Sequence, residues 1–178
     1  MFRILKALII YFALVPSTEA ESPASPSPYV VASTYGPYYI KTIPRGSDGG
    51  YGVAYRLNHD GSSTELWRVS GYLFEVFLSF DGMHLVKMRP WASGPGPSDD
   101  DLAVEFYKSG KLIESYSTRD LVSDASMVQR TVSHYFWRAE DERFPFLSPY
   151  NRFYLMTIDE IVYVFDVTTG EIIEKGTL

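Results

Sequence analysis

Residues 146–176 read FLSPYNRFYLMTIDEIVYVFDVTTGEIIEKG, and the chain uses this pattern three times. The stretch alternates turn and strand and ends in a tight turn and a last strand. Ser148, Tyr150, Tyr154, Thr157 and Ile158 recur at identical spacing as Ser33, Tyr35, Tyr39, Thr42 and Ile43. Three more positions match in kind: Gly36 with Asn151, Tyr38 with Phe153, and Ile40 with Leu155. Another copy runs from Ser79 through Asp81-Gly82 and Val86 to Met88. Gly and Asn share a tolerance of positive φ. Each copy therefore predicts a tight turn that opens into an apolar, aromatic strand.

A second element follows each copy: a strand, a polar turn containing Gly, and another strand. These are residues 52–57 and 64–69 around Asn58-His59-Asp60-Gly61, then 102–107 and 111–116 around Lys108-Ser109-Gly110. The last is 161–167 and 171–174 around Thr168-Thr169-Gly170. Such turns between β-rich runs are a hairpin signal. Copies starting at 33, 79 and 148 leave the second unit longer than the first, and residues 117–137 account for the excess.

A period of about 40 to 50 residues with several strands per unit suits propeller blades. Ser-Pro-x-Asn at 148–151, followed by YVFDVTTGEII at 163–173, resembles bacterial β-propeller repeats of the WD and quinoprotein-like kind. Those families place a strand, an Asp and a Thr-Gly turn there. The chain is also similar to small secreted bacterial proteins of an uncharacterised class, a likeness that brings no activity with it. The expected fold is all-β, with three irregular antiparallel β-meander (propeller-blade-like) units and one short inserted α-helix. Closed propellers use roughly four to eight blades, and the chain has room for about three. An oligomer in which another chain completes the ring is therefore one open reading.

The first 20 residues read as a signal peptide. Arg3 and Lys6 give a positive start, residues 7–15 an apolar run, and Thr18 and Ala20 the small residues of a cleavage site. The apolar run falls short of the roughly 20 residues that a spanning helix needs. Residues 21–28, ESPASPSP, form a Pro/Ser-rich flexible lead-in, and residues 29–178 a single β-repeat domain. Removing 20 of 178 residues leaves 158, enough for one sizeable core. The removal takes away two cations and one anion, so the formal charge passes from −6 to −7. An acidic balance argues against nucleic acid and anionic membranes as partners. With no cysteine, an exported chain has no disulfide and rests on its core.

Within the domain, residues 45–50 read as a Gly/Ser/Asp loop, and GYLFEVFLSF at 71–80 as a central strand with two apolar faces. Residues 90–101, PWASGPGPSDDD, read as a loop, with Asp99-Asp100-Asp101 as a solvated acidic end and a poor match to a calcium site. The 14 tyrosines are expected to pack across strands. Residues 117–137 carry the helical signal. Asp120-Leu121-Val122 can form one turn, Ser123 or Asp124 can cap a helix, and Ala125, Val128, Val132 and Tyr135 make an apolar stripe. Arg130 and His134 then share a face, and Trp137 joins them if the helix extends that far. This donor, titratable ring and large aromatic make Arg130, His134 and Trp137 the candidate binding residues, of types that suit an anionic or sugar-like ligand or a protein. A short amphipathic helix packed on a sheet edge is the competing account.

No nucleophile elbow, zinc-protease motif, phosphate-binding loop or dinucleotide fingerprint is present. His59, His84 and His134 fall in three different settings, so no metal site is expected. Catalytic and cofactor residues are none. The expected function is an exported, soluble, non-enzymatic binding or interaction role in the periplasm or outside the cell, with a protein or saccharide as partner. The alternative is a carbohydrate-active or other hydrolase using scattered Asp, Glu and aromatic residues, Glu140-Asp141-Glu142 among them.

Overall fold

Turn residues divide the chain into short runs that pair with their sequence neighbours. The computed structural model describes residues 26–46, 49–89 and 92–177. The expected leader and the lead-in up to residue 25 lie outside them. Strands β1 (Tyr29–Ala32), β2 (Tyr38–Arg45), β3 (Gly49–Leu57) and β4 (Ser63–Ser70) form the first sheet, each beside the next. The second sheet begins with β5 (Glu75–Leu78) and β6 (His84–Met88). A two-residue strand, β7 (Ala92–Ser93), leaves it before β8 (Leu102–Lys108) and β9 (Lys111–Ser117) complete it in the order β5-β6-β8-β9. Helix α1 (Thr118–Leu121) follows, then β10 (Gln129–Arg130) and β11 (His134–Phe136). The third four-stranded sheet is β12 (Phe146–Leu147), β13 (Arg152–Met156), β14 (Ile161–Asp166) and β15 (Ile172–Thr177), again in sequence order. All pairings are antiparallel, so the protein is all-β and built from three propeller-blade-like meanders.

The three repeat serines occupy one structural position, the residue after the first strand of each unit. Their backbone N–H groups donate across the turn, from Ser33 to Tyr38 O at 2.8 Å, Ser79 to His84 O at 2.9 Å and Ser148 to Arg152 O at 2.9 Å. The third turn is thus one residue shorter. Gly82 (φ 69) and Asn151 (φ 57) take the left-handed conformation expected of them. Gly36 does not; a Cβ there would overlap the Phe80 carbonyl. The shorter turn corrects the sequence alignment by one residue: Ile40 matches Tyr154 and Tyr39 matches Phe153. A slip of one residue exchanges the two faces of a strand, so the correction decides which residues meet.

With that register the units superimpose position by position. Val31, Ile40 and Ala54 of the first unit correspond to Phe77, Val86 and Phe106 of the second and to Phe146, Tyr154 and Val164 of the third. In the first two units this set faces the following unit. The opposite set is Ala32, Tyr39 and Tyr55, then Leu78, Leu85 and Tyr107, then Leu147, Phe153 and Phe165. In the second and third units it faces the preceding unit. Two cores result, one per joint. Ile40, Ala54, Trp67 and Leu73 close on Val76, Leu78, Leu85 and Tyr107. Val86, Val104 and Phe106 close on Phe153, Leu155, Tyr163 and Phe165.

Aromatic rings cross the second joint, with Phe77 5.1 Å from Phe153 and Phe106 5.1 Å from Phe165. The stretch GYLFEVFLSF yields only β5, which lies at the end of its sheet rather than in the middle. Both its faces are apolar because β1 and β12 lie against it where the three first strands converge. The loop expected at 45–50 is shorter, since β2 runs to Arg45 and β3 starts at Gly49.

The insert departs furthest from expectation. Ser117 caps a single helical turn, accepting from Asp120 N while the Asp120 side chain accepts from Ser117 N. A 3-10 turn at Ala125–Met127, capped by Asp124, follows. The chain then becomes a hairpin, and β7 joins it as a small sheet in the order β10-β11-β7. The helix expected through Tyr135 is absent: Val132 of the supposed stripe is 90% exposed at the hairpin tip. Residues 90–101, expected to hold no ladder, contribute β7. Leu121, Val122 and Val128 do join the larger core, which outweighs helical spacing beyond them.

Candidate interaction surface

The hairpin places the three sequence-derived binding residues apart. Arg130 is exposed and pairs across the ladder with Tyr135. His134 precedes Tyr135, so alternation turns its side chain to the other face of the hairpin. Its ring stands edge-on to Phe136 at 5.6 Å, and Ser133 Oγ lies 3.0 Å from its Nδ1. Trp137 is 0% exposed and donates from Nε1 to Arg89 O at 3.2 Å. The expected shared helical face is therefore corrected: Trp137 is core, and Arg130 and His134 point apart. The missed signal was alternation of period two in His134-Tyr135-Phe136-Trp137, which buries the second and fourth residues.

The arc of three units ends in two sheet faces that, among the described residues, no other unit covers. On the first unit, Tyr39 and Tyr55 stack at 5.2 Å and 16°, with the Lys41 ammonium 4.8 Å from the Tyr55 ring. Arg45 lies 5.1 Å from the Tyr51 ring on the same face. Arg68 also emerges there, paired with Glu65 at 2.7 Å. This face therefore carries an excess of positive charge over an aromatic floor.

On the third unit, Phe146 and Tyr154 stack at 4.3 Å and 5°, and Phe144 extends the row at 6.1 Å from Phe146. Phe146 is 41% exposed. Arg152 pairs with Asp166 across β13 and β14, and Glu174 follows on β15. Beside this row, Phe136, Arg138, Glu140, Asp141, Glu142 and Phe144 line a depression of about 430 Å³. Arg138 is occupied by Glu75 at 2.8 Å, which ties the insert to β5. Hydrogen bonds from the Arg143 side chain and backbone hold the Asp141 carboxyl down at about 2, so it stays ionised. This end of the arc is negative.

One buried ion pair belongs to the first joint. Lys87 Nζ meets Glu105 Oε2 at 2.7 Å on the second unit's face toward the first, with side chains 10% and 11% exposed. Tyr107 donates to Glu105 Oε1 at 3.1 Å, and burial followed by the Glu105 charge raises the Tyr107 pKa. His59 is exposed in its turn, whereas His84 is 6% exposed and lies 3.3 Å from Asp81 Oδ2. Among the described residues, no cluster of metal-ligating side chains forms and no helix is long and apolar enough to cross a membrane.

No family model matches this chain, and no curated protein does. Solved structures to which it is similar include the WD40 beta propeller domain of Doa1, at 13% identity and a TM-score of 0.33, covering 80% of this chain and 37% of that one. Another is Saccharomyces cerevisiae Sqt1, at 10% identity and a TM-score of 0.34, covering 84% of this chain and 50% of that one. The chain thus spans half or less of each of these two structures. The strand register defines its blades.

Proposed function

We propose that the protein is an exported, non-enzymatic interaction module that binds another polypeptide through the open faces at the two ends of its arc. One observation carries this reading. The residues on those faces, Tyr39 with Tyr55 and Phe146 with Tyr154, occupy the same blade positions that elsewhere form buried joints. Aromatic, partly apolar faces beside charged rims are what protein partners cover. Export rests on the leader expected in residues 1–20, and N-terminal sequencing of the exported protein should then begin Glu-Ser-Pro.

The reading is tested by placing a photoreactive amino acid at Phe146 in the producing cell, with Val132 at the hairpin tip as control. A protein crosslink specific to position 146 is expected; its absence overturns the proposal. A second reading, saccharide binding or hydrolysis, is favoured by the depression that sets Phe136 and Phe144 beside three consecutive carboxylates. Hydrolysis needs one carboxyl held protonated, and Asp141 is shifted the other way. Calorimetry with oligosaccharides decides between the readings: heat lost in Phe144→Ala would favour the sugar.

A further inference from the structure

We infer that the partner is a second copy of this chain, and that two copies close head to tail, through two equivalent joints, into a six-unit ring. The inference rests on the interaction reading above and names its occupant. The third unit's open face carries Phe146 and Tyr154, with Val164 buried beside Tyr154, and the second unit uses the equivalent Phe77, Val86 and Phe106 to receive the unit that follows. The first unit's open face carries Ala32, Tyr39 and Tyr55. The third unit uses the equivalent Leu147, Phe153 and Phe165 to pack on the unit before it. The two ends are thus complementary halves of a joint the chain already builds twice. Phe146 would meet Tyr39 of the other copy where Phe77 meets Phe153 within one chain.

A second, independent feature marks the same vacancy. The last hairpin turn of each unit carries a glycine with positive φ, namely Gly61, Gly110 and Gly170. Gly110 presses on the preceding unit's outermost strand, where a Cβ would overlap the Arg68 carbonyl. Gly170 does the same to the Glu114 side chain on β9. Gly61 has nothing within 4 Å. The position that corresponds to Glu114 on the third unit is Glu174, by pairing with Val164 as Glu114 pairs with Phe106. In the ring, Gly61 of one copy rests on β15 of the other.

Charge agrees with this placement. Lys41, Arg45 and Arg68, the last paired with Glu65, meet a face where Arg152 is cancelled by Asp166 and Glu174 is left over, flanked by Glu140 and Glu142. Two copies of three units make six, within the roughly four to eight blades that closed propellers use. Because both ends are consumed, the assembly stops at two.

Sedimentation equilibrium on the purified mature chain tests this. The expected mass is twice that of one chain and constant with concentration. Phe146→Asp and Tyr39→Asp should each halve the mass while leaving the thermal melt of the chain cooperative, since both side chains lie on open faces. An equimolar mixture of the two variants should recover dimers, because pairing a broken end with a broken end leaves the other joint intact.

A wild-type chain that stays monomeric overturns the inference, and so does a mass that climbs past the dimer with concentration. So does a dimer lost in Tyr39→Asp but untouched by Phe146→Asp, which would mean like faces meet. Should the chain prove monomeric while position 146 crosslinks to a different protein, the interaction reading stands without the second copy. Should it crosslink to nothing, both fall.

Discussion

Replacing Glu105 by Ala strands a charge inside the joint between the first and second units. Lys87 Nζ would lose its partner at 2.7 Å while remaining about nine-tenths shielded, and the Tyr107 hydroxyl would lose the carboxylate it donates to. Removing one member of a buried ion pair typically costs about 3–5 kcal/mol, mostly because the survivor is left desolvated. The orphaned hydroxyl adds roughly 1 kcal/mol. Against a total stability of about 5–15 kcal/mol for a domain, that loss is large.

The triple change Lys87→Met, Glu105→Leu, Tyr107→Phe removes all three polar groups of this cluster at once and should fall between near-neutral and stabilising by about 1–4 kcal/mol. Urea titration of wild type, Glu105→Ala and the triple variant, read by tyrosine and tryptophan fluorescence, gives the three midpoints. If Glu105→Ala costs less than about 1 kcal/mol, the pair behaves as an exposed one and the first joint is not a dry interface.

Phe165 lies among Phe106, Phe153, Tyr116 and Tyr163, so Phe165→Ala should cost about 3–5 kcal/mol, while exposed His59→Gln costs under about 1 kcal/mol; thermal melts that rank them otherwise would contradict the packing. Trp137→Phe should remove a blue-shifted emission component that acrylamide barely quenches, and loss of a readily quenched component would place the ring at the surface. Acid should destabilise the protein. For Asp81 and Asp166 burial raises the pKa, but hydrogen bonds from Ser79, Thr168 and Arg152 and nearby positive charge outweigh it and lower both. A carboxyl with a depressed folded pKa contributes stability above its unfolded pKa and sheds it as pH falls through the folded one. Urea midpoints should therefore drop below about pH 4, and the drop should shrink in Asp166→Asn; midpoints that rise with acid would reverse the sign.

The repeat of Ser33, Ser79 and Ser148, each at the head of a turn, together with Gly-bearing hairpins further on, determined by itself that three meander units follow one another. Those signals are local, because a turn's φ angles and a strand's alternation depend on neighbours a few residues apart. Tertiary structure decided which residues face which. A turn one residue shorter before Arg152 exchanges the faces of β13, and only the ladder reveals that Tyr154, not Leu155, stands where Ile40 does.

The insert was illegible for a related reason. Val128, Val132 and Tyr135 satisfy helical spacing, but Tyr135 and Trp137 are held by a core assembled from β8, β13 and α1, and by Thr118 and Arg89, which lie far away in sequence. Long-range burial there overrides a three-residue period, removes Trp137 from the surface and leaves the open aromatic faces at the two ends of the arc. Those faces are invisible in the sequence because a tyrosine that packs against its own neighbour and one that awaits another chain are written with the same letter.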